Sequence, residues 1–329
     1  MDPITHALVG ATCAQCFSDK KTYTTASFVG FIAALAPDAD VFLGSSSDPL
    51  LTLELHRQFT HSLFFIPFGA LIIASLLWWF VRNRLSFKAT YVLSLAGYAT
   101  AGLMDYITSY GVLLFWPITG ERYAMNLISV FDPLLTLGIL FFCLIAFFRK
   151  KRFFSYLSLV WLLLYIGFAG IQKSRVNATA TSFLSKTDSK LIIKPTIGNQ
   201  LLWSVRYIDD GEFCSMGVRT SLLTKAEVYQ GECTRLLDWE TEYQHYQGTV
   251  LYDDIHRFSE LSNGYLVLHP DHSNVIGDAR YSMLPTTTSP LWGITIDTSN
   301  TNKHVSFDSF RDTSSETREA FIIMLLGRR

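Results

Sequence analysis

The chain has 329 residues, a formal net charge of −1 and 17% charged residues, against roughly 25% in an ordinary soluble domain. Near-neutrality excludes a broad electrostatic surface for nucleic acid, and most of the charge deficit lies before residue 173. The composition predicts an α-helical polytopic membrane domain over residues 1–172. A soluble α+β domain with a small antiparallel sheet is expected over residues 173–329.

Residues 4–17 are apolar, too short to cross a bilayer as a straight helix, and without the basic leader of a secretory signal. A short re-entrant or tilted helix paired with residues 22–44 is expected there. Residues 22–44 are apolar apart from Asp38 and Asp40. Residues 63–81, "LFFIPFGALIIASLLWWFV", and residues 153–172 carry no charge and match the roughly 20 residues that cross about 30 Å of hydrocarbon. Residues 89–116 and 123–148 read as further spans, interrupted by Asp105 and Asp132.

After residue 173 the texture changes. "KLIIKPTIGNQLLWSVRYIDDGEFCSMGVRTSLL", "NGYLVLHP" and "PLWGITID" mix β-branched and aromatic residues with turn signals and read as strands. "DWETEYQHYQGTVLYDDIHRFSEL" reads as more helical. His269 and His272 in "HPDHS" fit a turn, and with His245 and His256 they are assigned structural roles rather than a second metal set. The closing "TREAFIIMLLGRR" is expected to pack on the domain. Cys13, Cys16 and Cys143 fit as small hydrophobes. Cys214 and Cys233 could pair in an oxidising compartment, and two cysteines alone leave that open.

The basic residues set the orientation. "RNRLSFK" (residues 82–88) carries three and "RKKR" (residues 149–152) four, and positive loops stay cytoplasmic. Lys20 and Lys21 fit that side; Lys173 and Arg175 weigh against it and are outvoted. Alternation then places the C-terminal domain outside the cytoplasm of a bacterial inner membrane. Asp38, Asp40, His56, His61, Asp105 and Asp132 fall on the outer face, with His6 if the first helix runs inward.

Carboxylates inside a membrane cost about 2.5–3.5 kcal/mol each on insertion scales. In "PDAD", Pro37 ends the helix, so Asp38 and Asp40 can turn toward one point. Carboxylate oxygens with imidazoles suit a divalent cation, with zinc expected ahead of manganese or iron. His56 and His61 in "HRQFTHS" are five apart, one more than a shared helical face requires. They converge if His56 lies in a loop and Thr60 caps a helix beginning near His61. Arg57 between them suits an anionic group. Competing readings are a solvated helix end for the two aspartates, a lipid headgroup fringe for the histidines, and a helix–helix or Arg122 contact for Asp105. Asp132, before Pro133, fits a helix cap.

The stretches "MDPITHALVGA", "APDADVF", "HRQFTHSL" and "GLMDYITSYG" resemble, in order and spacing, the YdjM-like inner-membrane family of predicted metal-dependent hydrolases, also described as LexA-binding. The resemblance covers the membrane part of the chain. It implies a helical membrane domain with a hydrolase related in motif pattern to phospholipase C and nuclease types. By position it implies His6, Asp38, Asp40, His56, His61 and Asp105 as metal ligands. A "DARY"-like stretch (residues 278–281) in a β-rich tail also resembles the tails of family members. A LexA-type regulator enters as a partner by resemblance alone, and would need a cytoplasmic surface.

These features together predict a membrane-bound metal-dependent hydrolase with Arg57 and Asp105 in catalytic roles. Its substrate would be a phospholipid or a lipid-linked phosphate or acyl ester at the outer leaflet. The rival is a non-enzymatic membrane protein, conducting ions or protons or serving as a regulator-binding scaffold.

Overall fold

The computed structural model describes residues 1–184, 190–221 and 225–328. Contacts divide the chain into two units. The first comprises Met1–Leu43, Leu55–Ile171 and Ile197–Asn199; the second comprises Gly44–Glu54, Gln172–Thr196 and Gln200–Arg329.

The first unit is helical. α1 (Pro3–Cys16) opens on Asp2, whose carboxylate accepts the Thr5 N–H at 2.9 Å, with proline in the first turn where no N–H is needed. α2 (Tyr23–Leu35) runs into a 3-10 turn, Pro37–Leu43. α3 (Pro49–Leu55) lies in the excursion to the second unit, and a second 3-10 turn covers Phe59–His61. α4 (Ile66–Val81), α5 (Phe87–Tyr106), α6 (Pro133–Arg149) and α7 (Arg152–Leu184) complete the set. Two stretches, Tyr23–Leu43 and Arg152–Leu184, are long and apolar enough to cross a membrane. Pro49–His61 with Ile66–Val81 makes a third only if this pair, bent by 89°, counts as one span.

Three expected spans are shorter than their apolar runs. α4 starts at Ile66 rather than residue 63 because the preceding turn holds Ser62 and Leu63 against other backbone. α5 stops at Tyr106, where Thr108 Oγ1 donates to the Asp105 carbonyl at 2.8 Å. α6 starts only at Pro133, capped by Asp132 as its position before proline predicts.

α4 shows the solvent the first unit is built for. It turns Phe68, Ile72, Leu76, Trp79 and Phe80 outward and buries Gly69, Ala70 and Ala74. Large apolar residues outside and small ones inside suit lipid, where helices associate by close packing. The tightest packing joins α1, α2 and α5. A Cβ at Gly10 would lie 2.5 Å from the Gly30 carbonyl oxygen, and one at Gly97 would lie 2.5 Å from the same atom. Alanines four residues on (Ala14, Ala34, Ala101) extend these small faces. The expected pairing of the short first helix with the second is therefore a backbone-to-backbone contact. Near the other end of α1, Gln15 donates to Ser27 Oγ (3.1 Å) and accepts from Ser155 Oγ (3.0 Å), tying α1 to α2 and α7.

The second unit is α+β, with two small antiparallel sheets where one was expected. β1 (Ile192–Pro195), β2 (Leu202–Asp209), β3 (Glu212–Arg219) and β4 (Glu227–Thr234) form the first in sequential order. The β2–β3 hairpin turns on Asp210 and Gly211, both at positive φ, the backbone this tight turn demands. Cys214 and Cys233 face each other across β3 and β4 and form a disulfide. α8 (Trp239–Glu242) and α9 (Val250–Leu261) follow. They interrupt strand pairing, so β5 (Leu266–His269), β6 (His272–Asp278), β7 (Trp292–Thr295) and β8 (Ser306–Ser309) form a separate sheet. Its core joins Leu251, Ile255 and Phe258 of α9 to Ile276, Ile294 and Val305, with Leu50 of α3 fully buried among them. His269 Nδ1 accepts the Asp271 N–H at 3.1 Å, the turn role expected of "HPDHS". α10 (Ser315–Leu326) buries only Met324 and leaves Ile322, Ile323 and Leu326 exposed, less packing than expected.

Candidate metal centre

The three motifs converge because small residues let their backbones meet. A Cβ at Gly102 would lie 2.3 Å from the His61 carbonyl oxygen, so α5 approaches the Phe59–His61 turn at backbone distance. Tyr98, one turn earlier, donates to the Thr60 carbonyl at 3.0 Å. Arg57 sits at φ 60°, a left-handed backbone uncommon for any residue with a Cβ. That bend aims its N–H at Asp40 Oδ2, 2.9 Å away. Thr60 therefore serves inside a 3-10 turn and does not cap α4, which corrects the expected helix start at His61.

Asp40 is the hub of an outer layer. Its Oδ1 meets His56 Nδ1 at 2.6 Å, and its Oδ2 accepts from Thr60 Oγ1 at 2.6 Å and lies 3.4 Å from His61 Nδ1. Thr60 has one hydroxyl proton, which goes to the carboxylate. Its oxygen then accepts at 3.0 Å from a proton on His61 Nδ1. In the neutral ring this leaves the lone pair on Nε2.

That lone pair faces two carboxylates. His61 Nε2 is 3.3 Å from Asp38 Oδ1 and 3.4 Å from Asp105 Oδ2. His6 Nε2 is 3.2 Å from Asp105 Oδ1, which also pairs with the Met1 amino group. One ligand atom each from His6, Asp38 and Asp105 lies within 4.8 Å of the others, a grouping that could hold a metal ion. Arg57 Nε lies 2.9 Å from Asp105 Oδ2. Yet His6 Nδ1, His61 Nε2, Asp105 Oδ2, and Arg57 Nε and Nη1 are buried without a directed hydrogen bond. The orphaned imidazole nitrogens and the carboxylate oxygen of this set fit a divalent cation, and the Arg57 donors fit an anionic group beside it.

All seven residues singled out in the sequence are thus in one cluster, in two layers. His6, Asp38, His61 and Asp105 face inward; Asp40 and His56 pair with each other behind His61. His56 and Asp38 are its partly exposed members. Asp132 caps α6 and accepts the Tyr165 hydroxyl at 2.8 Å. In the sequence Thr60 reads as a helix cap rather than as a partner of Asp40 and His61, and Tyr98 and Gly102 were missed, although a lone glycine three residues before Asp105 was a readable signal of close approach.

A second acidic grouping, Asp48, Asp254 and His304, lies in the second unit. Arg257 already fills it, donating to Asp48, Glu54 and Asp254 at 2.7–3.1 Å.

A buried histidine–aspartate cluster among apolar helices defines a membrane protein with a candidate metal centre. The family model described as YdjM inner membrane protein matches residues 1–176, more than half of the chain. The chain belongs to the YdjM inner membrane protein family. No curated protein and no solved structure matches the chain.

Proposed function

We propose that the chain is a polytopic inner-membrane hydrolase whose metal is held by His6, Asp38, His61 and Asp105. The single observation that carries this reading is His61 Nε2, buried without a hydrogen bond and facing the Asp38 and Asp105 carboxylates at 3.3 and 3.4 Å. A divalent cation there, zinc first by its donor set, would acidify water and polarise a phosphoryl or acyl oxygen. Arg57, its Nε beside Asp105 and its Nη1 without a partner, would counter negative charge developing on the substrate. Asp40 would keep the His61 ring in register, as a carboxylate behind a ligating imidazole does.

A phospholipid or lipid-linked ester presented at the outer leaflet is the substrate class of this reading. Support for the outer face comes from the disulfide in the second unit and from the basic clusters at residues 82–88 and 149–152. The test is purification in detergent, metal analysis and assay on lipid phosphoesters in mixed micelles. Stoichiometric divalent metal and turnover, both lost in Asp38→Ala, are expected. Protein without metal, or with metal unchanged in Asp38→Ala and His61→Ala, would overturn the reading. Metal-replete protein that cleaves no ester but moves ions in vesicles would favour the conducting alternative.

A further inference from the structure

The "DARY" stretch lies beside an unusual concentration of buried cations in the second unit. Lys194 on β1 and Arg206 on β2 are buried, at 7% and 1% exposure. The register pairs Ile192 with Arg206 and Lys194 with Ser204, so both cations share one sheet face as diagonal neighbours. Tyr281 covers that face, with the Lys194 ammonium 3.3 Å from its ring centroid. Arg206 Nη1 donates to the Thr287 carbonyl at 2.6 Å and Nη2 to Ser282, while its buried Nε has no partner.

The nearby carboxylates are committed elsewhere. Asp278 accepts Arg280 Nε at 2.8 Å and Nη2 at 2.7 Å. Glu232, exposed on β4, accepts the Thr288 N–H at 3.2 Å. Among the described residues neither Lys194 nor Arg206 has a carboxylate in ion-pair contact. Two guanidinium groups and a buried amine that lacks any counter-charge stand against one buried carboxylate, so protonating that amine is costly until an anion joins it.

We propose that Lys194 and Arg206 form a binding site for a small oxyanion, a phosphate group either free or at the end of a larger molecule. The ammonium and the unpaired guanidinium N–H supply donors, and Tyr281 forms one wall. β1, which carries Lys194, is an edge strand of its sheet. Burial and the neighbouring Arg280 and Arg206 push the Lys194 amine well below its ordinary range. Anion binding therefore draws a proton onto Lys194, and affinity rises as pH falls toward neutrality.

The test uses the full chain in detergent with a chelator present, so that phosphate cannot act through a metal. Thermal unfolding is followed against inorganic phosphate and against glycerol 3-phosphate, with chloride at matched ionic strength. A saturable rise of roughly 3–6 °C is expected. It should be lost in Lys194→Met and kept in Lys194→Arg and in His61→Ala. A response to glycerol 3-phosphate alone would assign the site to a phosphate carried on a larger molecule. No phosphate-dependent shift in the parent protein, or the same shift in Lys194→Met, would overturn the proposal.

Discussion

Asp40 and His61 meet at the imidazole Nδ1, at 3.4 Å, and this contact leaves Nε2 facing Asp38 and Asp105. The two aspartates of "PDAD" therefore do different jobs two residues apart. In the proposed centre Asp38 would offer an oxygen, and Asp40 would hold the ring that offers a nitrogen.

Substitutions should separate these jobs. Asp38→Ala and His61→Ala are expected to abolish stoichiometric metal, measured by elemental analysis of purified protein. Asp40→Asn should weaken metal binding about 10- to 100-fold in chelator competition, the usual effect of removing a carboxylate behind a ligating histidine. His56→Ala should retain metal. Equal loss in all four would remove the distinction between layers.

Gly102 is a test of positioning without chemistry. A methyl group there meets the His61 carbonyl at 2.3 Å, so Gly102→Ala should cost about 1–3 kcal/mol through overpacking. Metal affinity should fall as well, because the displaced residue is a ligand of the proposed centre. A variant with lowered melting temperature but parental metal affinity would contradict this.

Much of the site was legible because its motifs are short and polar inside apolar runs, where such residues stand out. The division into layers was not legible. It depends on which imidazole nitrogen carries a proton, and Thr60 decides that through a 3-10 turn that no periodicity signals. The shortened α4, α5 and α6 have a similar cause: apolar residues continue past each helix end, into segments whose backbone bonds to other loops. The second sheet escaped notice because strand signals in sequence do not say which strands pair.

Lys194 predicts a pH dependence for the second unit in buffer free of oxyanions. Its folded pKa lies well below the ordinary 10.5, with Arg206, Arg280 and Asp278 as the charged groups around it. Above about 10.5 neither folded nor unfolded lysine carries the proton, and nothing is lost. As pH falls below that value the unfolded chain binds a proton that the folded chain refuses, so stability declines until the folded pKa is reached. Denaturant unfolding just below pH 10.5 should show stability rising with pH, and Lys194→Met should flatten the slope.

The disulfide gives a readout of orientation. Cys214 and Cys233 should resist maleimide in intact cells and react only after reduction, if the second unit lies outside the cytoplasm. Replacing both cysteines with alanine should cost about 2–4 kcal/mol. Two freely reactive thiols in unreduced protein would argue for a cytoplasmic second unit.

Arg257 donates to three carboxylates, Asp48, Glu54 and Asp254. Arg257→Ala should destabilise the second unit by about 2 kcal/mol, and Arg257→Lys should recover little of it because an ammonium lacks the planar fork. Calorimetry of the three proteins would decide.

The excursion at Gly44–Glu54 also bears on the order of events at the ribosome. Leu50 is buried against Ile294, Ile296 and Val305, residues translated some 240 positions later. "PDAD" and "HRQFTHS", the two segments on either side of that excursion, emerge early and wait with their connecting loop unanchored. A nascent chain can thread its helices into the bilayer long before that loop is secured, so the burial of Leu50 is complete only when the last two strands have been translated.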